Sequence, residues 1–148
     1  MRLVEITKEN WEKVILLTTN KDNQLTLDEE FVASNAYSFA QSFFEGSWTI
    51  KAIEHTGELI GFAMYGFSEE SNSYELCRFM IDIKFQGNGY GKQALSLIIE
   101  EMKNQFGCKE IYLSIVAENT KGKHVYESFG FINTGEIRDD EELYVLKL

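Results

Sequence analysis

The chain has 148 residues, of which 44% are hydrophobic and 14% aromatic. This is enough apolar surface for one folded domain and argues against a disordered chain. Lysine and arginine number 14 against 24 aspartates and glutamates, and the resulting net charge of −10 disfavours binding to nucleic acid. The same charge attracts cations, although it can also serve solubility alone.

The cysteines, the histidines and the N-terminus bear on compartment and metal content. Cys77 and Cys108 lie in or beside apolar runs without the spacing of a metal site, so we expect buried free thiols. The first residues lack the pattern of a signal peptide, and no run approaches the length of a membrane span. We expect a cytoplasmic protein that does not contact membranes. We also expect no metal, because neither His55 nor His124 has a ligand partner nearby.

The first half of the chain predicts three strands and two helices. The strands follow apolar and polar alternation or flank a turn, and lie at Arg2–Thr7, Trp48–Glu54 and Leu59–Phe67. Thr7 can cap a short first helix. Asp28 can cap a second helix, Glu29–Glu45, which Gly46 ends.

The second half predicts strands that alternate with helices. The strands lie at Tyr74–Asp82, Ile111–Val116, Phe131–Ile137 and Leu143–Leu148. One helix covers Gly89–Phe106, and another runs from Asn119 to near Gly130. The first of these helices joins two strands that should therefore be parallel. The order of elements predicts an α/β fold (α+β by some schemes), with a mixed sheet covered by helices on both faces.

A glycine-rich loop, Gln86–Gly91, lies between a strand and a helix. Such a loop leaves backbone N–H groups free to bind a diphosphate at the helix N-terminus. No Gly-Lys-Ser/Thr follows, which excludes the Walker pattern. The acidic residue of a dinucleotide-binding fingerprint is missing at the end of the next strand. The loop alone is also compatible with a tight turn.

Two motifs together resemble the GNAT superfamily of acetyl-coenzyme A-dependent N-acetyltransferases. The first is Gln-x-x-Gly-x-Gly at Gln86–Gly91, directly after strand Tyr74–Asp82. The second is Asn119-x-x-Gly122-x-x-x-Tyr126-x-x-x-Gly130-Phe131, with glycine at position 122 where the family usually has alanine. The resemblance implies a single GNAT-like domain over residues 1–148, with a mostly antiparallel sheet of about seven strands. A homodimer is the family expectation.

The resemblance also implies how acetyl-coenzyme A would bind. In the strand before the loop, the backbone groups of Phe79, Met80 and Ile81 would pair with the pantetheine arm. The diphosphate would be held by backbone N–H groups of Gln86, Gly87, Asn88, Gly89, Tyr90, Gly91 and Lys92. Asn119 would contact pantetheine, Gly122 would leave room for the cofactor, and Tyr126 would protonate the departing thiolate.

Direct attack by a neutral amine on the thioester is the implied reaction. An amine with a pKa near 10 must first lose a proton, usually with the help of a carboxylate. Spermidine/spermine acetyltransferases are expected to carry one at about the position of Cys77, which this sequence lacks. Glu75 is the candidate base, because the period of two places it on one face with Cys77 and Phe79. The alternative is a solvated glutamate at a strand end.

Within the family, the middle of the chain resembles bacterial spermine/spermidine acetyltransferases, notably at Gly61–Gly66 and Arg78–Asp82. A small polycationic amine needs spaced carboxylates and aromatic walls. The candidates for substrate binding are Asp28, Glu29, Glu30, Trp48, Tyr37 and Tyr65. The three acidic residues could instead only favour a helix N-terminus.

Two other functions remain open on the sequence alone. One is a GNAT enzyme that acts on another amine, such as an aminoglycoside, an amino acid or a protein amine. The other is a non-catalytic acyl-coenzyme A-binding module, which the retention of Gly89, Gly91, Asn119 and Tyr126 makes the weaker hypothesis.

Overall fold

The computed structural model describes residues 1–20 and 34–148. The strands in these residues are β1 (Arg2–Val4), β2 (Trp48–His55), β3 (Glu58–Ser68), β4 (Ser73–Ile81), β5 (Glu110–Ile115), β6 (Ile132–Arg138) and β7 (Glu141–Lys147). The helices are α1 (Trp11–Ile15), α2 (Asn35–Glu45), α3 (Tyr90–Phe106) and α4 (Thr120–Phe129). A short 3₁₀ helix, Ile83–Phe85, lies between β4 and the glycine-rich loop and was not predicted.

The strands form one seven-stranded sheet in the order β1-β2-β3-β4-β5-β7-β6. Neighbouring strands are antiparallel except β4 and β5, which are parallel and joined through α3. The mixed, mostly antiparallel sheet of seven strands confirms the predicted fold class. It also confirms that Tyr74–Asp82 and Ile111–Val116 belong to a βαβ unit.

Helices cover both faces of the sheet. On one face the apolar stripe of α3 is buried against Ile53 and Ile60 of the sheet, with Leu95, Ile98 and Met102 fully buried. On the other face Val14 of α1 packs with Phe62 and Met64, which point away from α3. Each such side chain stabilises the fold by about 1.5–3 kcal/mol relative to exposure. The strands between the two layers are therefore apolar on both faces.

The second helix begins later than predicted. It starts at Asn35 and is capped by Ser34, whose side chain accepts a hydrogen bond from Tyr37 N over 3.0 Å. The buried Asn35 side chain donates to Val14 O over 2.8 Å, which ties the start of α2 to the end of α1. The predicted start at Asp28 was therefore wrong for the helix that contains Glu45. Asp28 itself lies outside the described residues.

The first strand is also shorter than predicted, because the chain turns at Thr7. The carbonyl oxygen of Thr7 accepts from the backbone N–H groups of Asn10 and Trp11. Thr7 does not cap α1; Asn10 holds the N-cap position, without a side-chain cap bond. The paired part of β1 therefore ends at Val4.

Candidate active site

The parallel strands β4 and β5 meet at one position and then separate. Glu75 pairs with Tyr112, and beyond this pair each strand is paired only on its other side, β4 with β3 and β5 with β7. A groove of about 1300 Å³ opens along the separation. Its walls include Leu76 and Phe79 from β4 and Ile115 from β5. The edge of β4 is therefore available to hydrogen-bond with an extended ligand.

A β-bulge in β4 changes which side chains face this groove together. Met64 pairs with Arg78 and Tyr65 pairs with Leu76, so Cys77 is an extra residue without a partner on β3. Cys77 packs on the face covered by α1 and α2, whereas Phe79 packs on the α3 face. The prediction that Glu75, Cys77 and Phe79 share one face was wrong, because a bulge shifts the period of two by one residue.

The Gln86–Gly91 loop presents open backbone at the N-terminus of α3. Gly87 (φ 81°) and Gly89 (φ 75°) have the left-handed conformation that glycine tolerates best. A Cβ at either position would have no neighbour within 4 Å, so the loop surface is open. Gly89 is the N-cap and offers no side-chain cap bond, which leaves the first N–H groups of α3 available to an anion.

The side chains of Gln86 and Asn88 hydrogen-bond to backbone carbonyl groups and hold the shape of the loop. Gln86 Nε2 donates to Ile81 O over 2.9 Å, which ties the loop to the end of β4. Asn88 Nδ2 donates to the carbonyl oxygens of Phe85 and Gln86, each over 3.2 Å. These bonds preorganise the backbone for an anion, so the predicted roles of Gln86 and Asn88 rest on their N–H groups.

The second motif forms the start of α4. Asn119 is the N-cap, and its Oδ1 accepts from Gly122 N over 2.9 Å. A Cβ on Gly122 would lie 2.8 Å from Ile115 Cδ1 and 2.9 Å from Asn119 Nδ2. The space beside Gly122 is thus filled by protein, contrary to the expectation that this glycine leaves room for a cofactor. Asn119 itself lines the groove, and its contact with pantetheine stays a prediction.

Tyr126 of α4 reaches into the same groove. Its ring lies 6.4 Å from that of Phe79 and 5.7 Å from that of Phe131. Burial raises the pKa of Tyr126 above its ordinary value of 10, with the negative charge of Glu141 adding to the effect. The hydroxyl makes no hydrogen bond to any residue of ranges 1–20 and 34–148. It is therefore a protonated donor at neutral pH whose partner would be a ligand.

Glu75 lies on the opposite wall and is held through a single oxygen. Its Oε1 accepts from Ser71 Oγ (2.5 Å), Ser73 Oγ (3.2 Å) and Arg138 Nη1 (2.7 Å). Its Oε2 accepts no hydrogen bond from any part of the chain that the structure describes. Glu75 is thus a strongly oriented carboxylate with one oxygen left for a ligand, rather than the solvated glutamate of the alternative reading.

Cys77 does not replace the missing carboxylate. The thiol is half-buried in the groove wall, and burial raises its pKa to about 11. It is therefore protonated at neutral pH and is neither a nucleophile nor a base. Arg78 Nη1 approaches both Cys77 O (2.8 Å) and Cys77 Sγ (2.9 Å).

The groove is acidic. Among the described residues, its lining holds six carboxylate residues and two arginines. The carboxylates are Glu45, Glu69, Glu70, Glu75, Asp139 and Glu141, and the arginines are Arg78 and Arg138. They come from four separate parts of the chain: the end of α2, the β3–β4 turn, β4 and the β6–β7 turn. An excess of carboxylates along one groove suits a ligand with several positive charges.

The predicted substrate-binding residues differ in whether the structure places them in the groove. Trp48 lines the groove at the start of β2. Tyr65 does not: it is fully buried on the α3 face and donates to Glu101 Oε1 over 2.7 Å, so its assignment as a substrate wall was wrong. Tyr37 is half exposed on α2 and is not part of the groove wall. Asp28, Glu29 and Glu30 lie outside the described residues.

Sequence reasoning missed Glu45, Glu141 and Arg138 as groove residues. Glu45 was assigned only to the end of a helix, and the other two lie in or beside an acidic turn near the C-terminus. No local motif marks them, because a helix and strands that are distant in sequence bring them together. Among the described residues, no group of three or more histidine, cysteine or acidic side chains could hold a metal ion. None of the described helices is long and apolar enough to cross a membrane.

Comparison with known proteins places this architecture in a family. The family model "Acetyltransferase (GNAT) family" matches residues 5–131. The chain belongs to the GNAT acetyltransferase family. The resemblance inferred from Gln86–Gly91 and Asn119–Phe131 is thereby confirmed.

Similar GNAT proteins include a curated relative and several solved structures. The chain is 37% identical over 101 residues to the spermine/spermidine N(1)-acetyltransferase of Bacillus subtilis (strain 168). The aligned residues cover 64% of this chain and 66% of that protein. The spermidine N-acetyltransferase of Vibrio cholerae, in complex with CoA and spermine, superposes with a TM-score of 0.70 at 16% identity, over 99% of this chain and 93% of the other. PaiA N-acetyltransferase of Thermoplasma acidophilum, in complex with coenzyme A, superposes with a TM-score of 0.72 at 16% identity, over 99% of this chain and 98% of the other. These two structures share the fold of this GNAT domain.

Proposed function

We propose that this GNAT protein transfers the acetyl group of acetyl-coenzyme A to a primary amine of a polyamine such as spermidine or spermine. One observation carries the proposal: the groove between β4 and β5 joins Tyr126 and Asn119 on one side of the sheet with an acidic wall on the other. The similarity to the Bacillus subtilis spermine/spermidine N(1)-acetyltransferase supports the same acceptor class.

The residues present fit acetyl-coenzyme A. The open loop at Gly87 and Gly89 and the uncapped N–H groups of α3 suit the diphosphate, with the Lys92 N–H group in the first turn. The edge of β4 from Phe79 to Ile81 has no strand partner on the β5 side and suits the amide groups of pantetheine, with Ile81 O already accepting from Gln86 Nε2. When bound, acetyl-coenzyme A supplies an activated acetyl thioester.

Tyr126 and Glu75 are the residues to which we assign proton transfer. Glu75 lines the groove, and its Oε2, which accepts no hydrogen bond from the described residues, would take a proton from the ammonium group of the acceptor, directly or through water. Tyr126 is protonated at neutral pH at the ordinary tyrosine pKa of 10, which burial raises further, and it would donate this proton to the departing thiolate sulfur. Asn119 positions α4 by capping its first turn, so that Tyr126 faces the groove.

The acceptor side of the groove favours polycations over other amines. Six carboxylates against two arginines disfavour an acidic or neutral acceptor, and Trp48 gives an aromatic surface for a methylene chain. The proposal includes a cytoplasmic homodimer that needs no metal and binds neither nucleic acid nor membrane. The net charge of −10 supports the lack of binding to nucleic acid and membrane, and the exposed Ile132 and Ile137 on edge strand β6 support the homodimer.

Thiol release from acetyl-coenzyme A across a panel of amines tests the function. Spermidine and spermine should release thiol well above the rate without amine, and mass spectrometry should detect the acetylated product. Aminoglycosides, amino acids and a lysine peptide serve as the competing acceptors. Preferred acetylation of one of these would replace the polyamine assignment, and no release with any amine would overturn the enzymatic function.

A further inference from the structure

The C-terminal end of α2 forms a small polar cluster within the groove, separate from Glu75 and Tyr126. Gln41 and Glu45 are one helical turn apart on α2 and both line the groove. Gln41 Nε2 donates to Glu45 Oε1 over 3.1 Å, and Trp48 Nε1 donates to Glu45 Oε2. The Glu45 carboxylate is therefore held from two sides while lying at an exposed position.

Two further features at this end of α2 favour a positive charge. The helix ends at Gly46 in the left-handed conformation (φ 72°), and the last carbonyl groups of a helix carry partial negative charge. Gln41 Oε1 is buried and has no hydrogen-bond partner among the described residues. A buried acceptor without a donor is unfavourable, so an incoming N–H group would stabilise it.

Gly66 lies between this cluster and Glu75 in the sheet. It pairs with Trp48 on one side and with Glu75 on the other, so Trp48 and Glu75 lie two strands apart. Two strand spacings are about 10 Å. A Cβ on Gly66 would lie 2.2 Å from Ser47 O, so only glycine allows the backbone before Trp48 to pass this closely.

We infer that Glu45, Gln41 and Trp48 form a subsite that binds an ammonium group of the acceptor distant from the one that is acetylated. The inference rests on the proposed function and specifies which residues distinguish a polyamine from a monoamine. Glu45 accepts from the ammonium, Gln41 Oε1 accepts a further N–H, and the indole of Trp48 contacts the adjacent methylenes.

Charge variants at Glu45 test the subsite, with Glu100 as the matched control. Glu100 is exposed on α3, outside this groove, so Glu100→Gln changes net charge equally without touching the subsite. Glu45→Gln should raise KM for spermidine about two- to fivefold and Glu45→Lys about tenfold or more, as expected for a partly exposed ion pair lost or reversed. Values of kcat, KM for acetyl-coenzyme A and KM for butylamine should change less than about 1.5-fold, because a monoamine has no distant charge.

Calorimetric binding of spermidine separates this inference from the proposed function. Wild-type protein should bind spermidine about two- to fivefold more tightly than Glu45→Gln does, whether or not acetyl transfer occurs. Binding without acetyl transfer would refute the proposed function and leave the subsite standing. Three results would overturn the subsite. Glu45→Gln and Glu100→Gln could change KM for spermidine equally, or Glu45→Gln could change KM for spermidine and for butylamine equally. The third result is that the wild type binds no spermidine.

Discussion

Arg138 and Glu75 connect the two edges of the groove: Nη1 of Arg138, at the end of β6, donates to Oε1 of Glu75, on β4, over 2.7 Å. The strands β5 and β7 lie between them in the sheet, so only a long side chain could make this contact. The guanidinium thus occupies one side of the carboxylate that we assign to the acceptor. Under the proposed function, a substrate ammonium would compete with it for the same negative charge.

Removing this guanidinium should strengthen the binding of a polycation. In Arg138→Gln we expect KM for spermidine to fall about two- to fivefold, because one positive charge leaves the groove and Glu75 becomes fully available. Arg2→Gln is the control, since Arg2 pairs with Glu54 on β2 and does not line the groove. Steady-state kinetics at low salt provide the measurement. A rise in KM would contradict competition and show that Arg138 instead holds Glu75 in its binding orientation.

Coenzyme A binding should depend on Gly89 and not on a similar glycine at the other end of α3. Gly89 (φ 75°) and Gly107 (φ 62°) are both left-handed, and a Cβ on either would have no neighbour within 4 Å. Aspartate therefore strains the backbone similarly at both positions. Only Gly89→Asp places a carboxylate beside the expected diphosphate, so it should abolish binding by calorimetry. Loss of binding in Gly107→Asp alone, or retained affinity in Gly89→Asp, would exclude the loop as the diphosphate site.

Turnover should depend on the hydroxyl of Tyr126. We expect Tyr126→Phe to lower kcat about 10²- to 10⁴-fold, the usual effect of removing a positioned acid. Stability should change by no more than about 0.5 kcal/mol, because the hydroxyl has no partner in the described part of the chain. Tyr37→Phe, at a half-exposed position on α2, is the control. A kcat within twofold of wild type would remove Tyr126 from proton transfer.

Alkaline pH should destabilise the protein through its buried tyrosines. Burial raises the pKa of Tyr126, and burial together with the hydrogen bond to Glu101 raises the pKa of Tyr65. Above about pH 10 these groups ionise when unfolded and stay protonated when folded, so the unfolded state gains stability. The free energy of unfolding should therefore fall with rising pH. Urea titrations between about pH 9 and 11 provide the measurement. The slope should be smaller in Tyr126→Phe and unchanged in Tyr37→Phe; equal slopes in all three proteins would refute this origin.

Local patterns were sufficient for most of the fold and for the glycine-rich loop Gln86–Gly91. The glycines of Gln86–Gly91 and the caps of α3 and α4 act within a few residues, so the sequence alone predicts them. The start of α2 was wrong because Asp28 and Ser34 are equally plausible caps. Only the contact of Asn35 with α1 distinguishes them, and that contact is tertiary.

The side chains that line the groove could not be predicted in the same way. Strand β3 is apolar on both faces, so alternation does not show that Tyr65 faces α3. The bulge at Cys77 depends on pairing with β3 and has no sequence marker. Glu45 and Arg138 reach one groove only because α2 and the β6–β7 turn approach β4 in space.

The specificity for a polycation is tested most directly by one ratio: kcat/KM for spermidine divided by kcat/KM for a neutral-tailed primary amine of similar length. With six carboxylates of the described residues along the groove, we expect the ratio to be well above ten at low salt. It should fall as salt rises, because a Debye length of about 8–10 Å screens partly exposed pairs. A ratio near one that does not respond to salt would contradict the account and assign the groove to another amine.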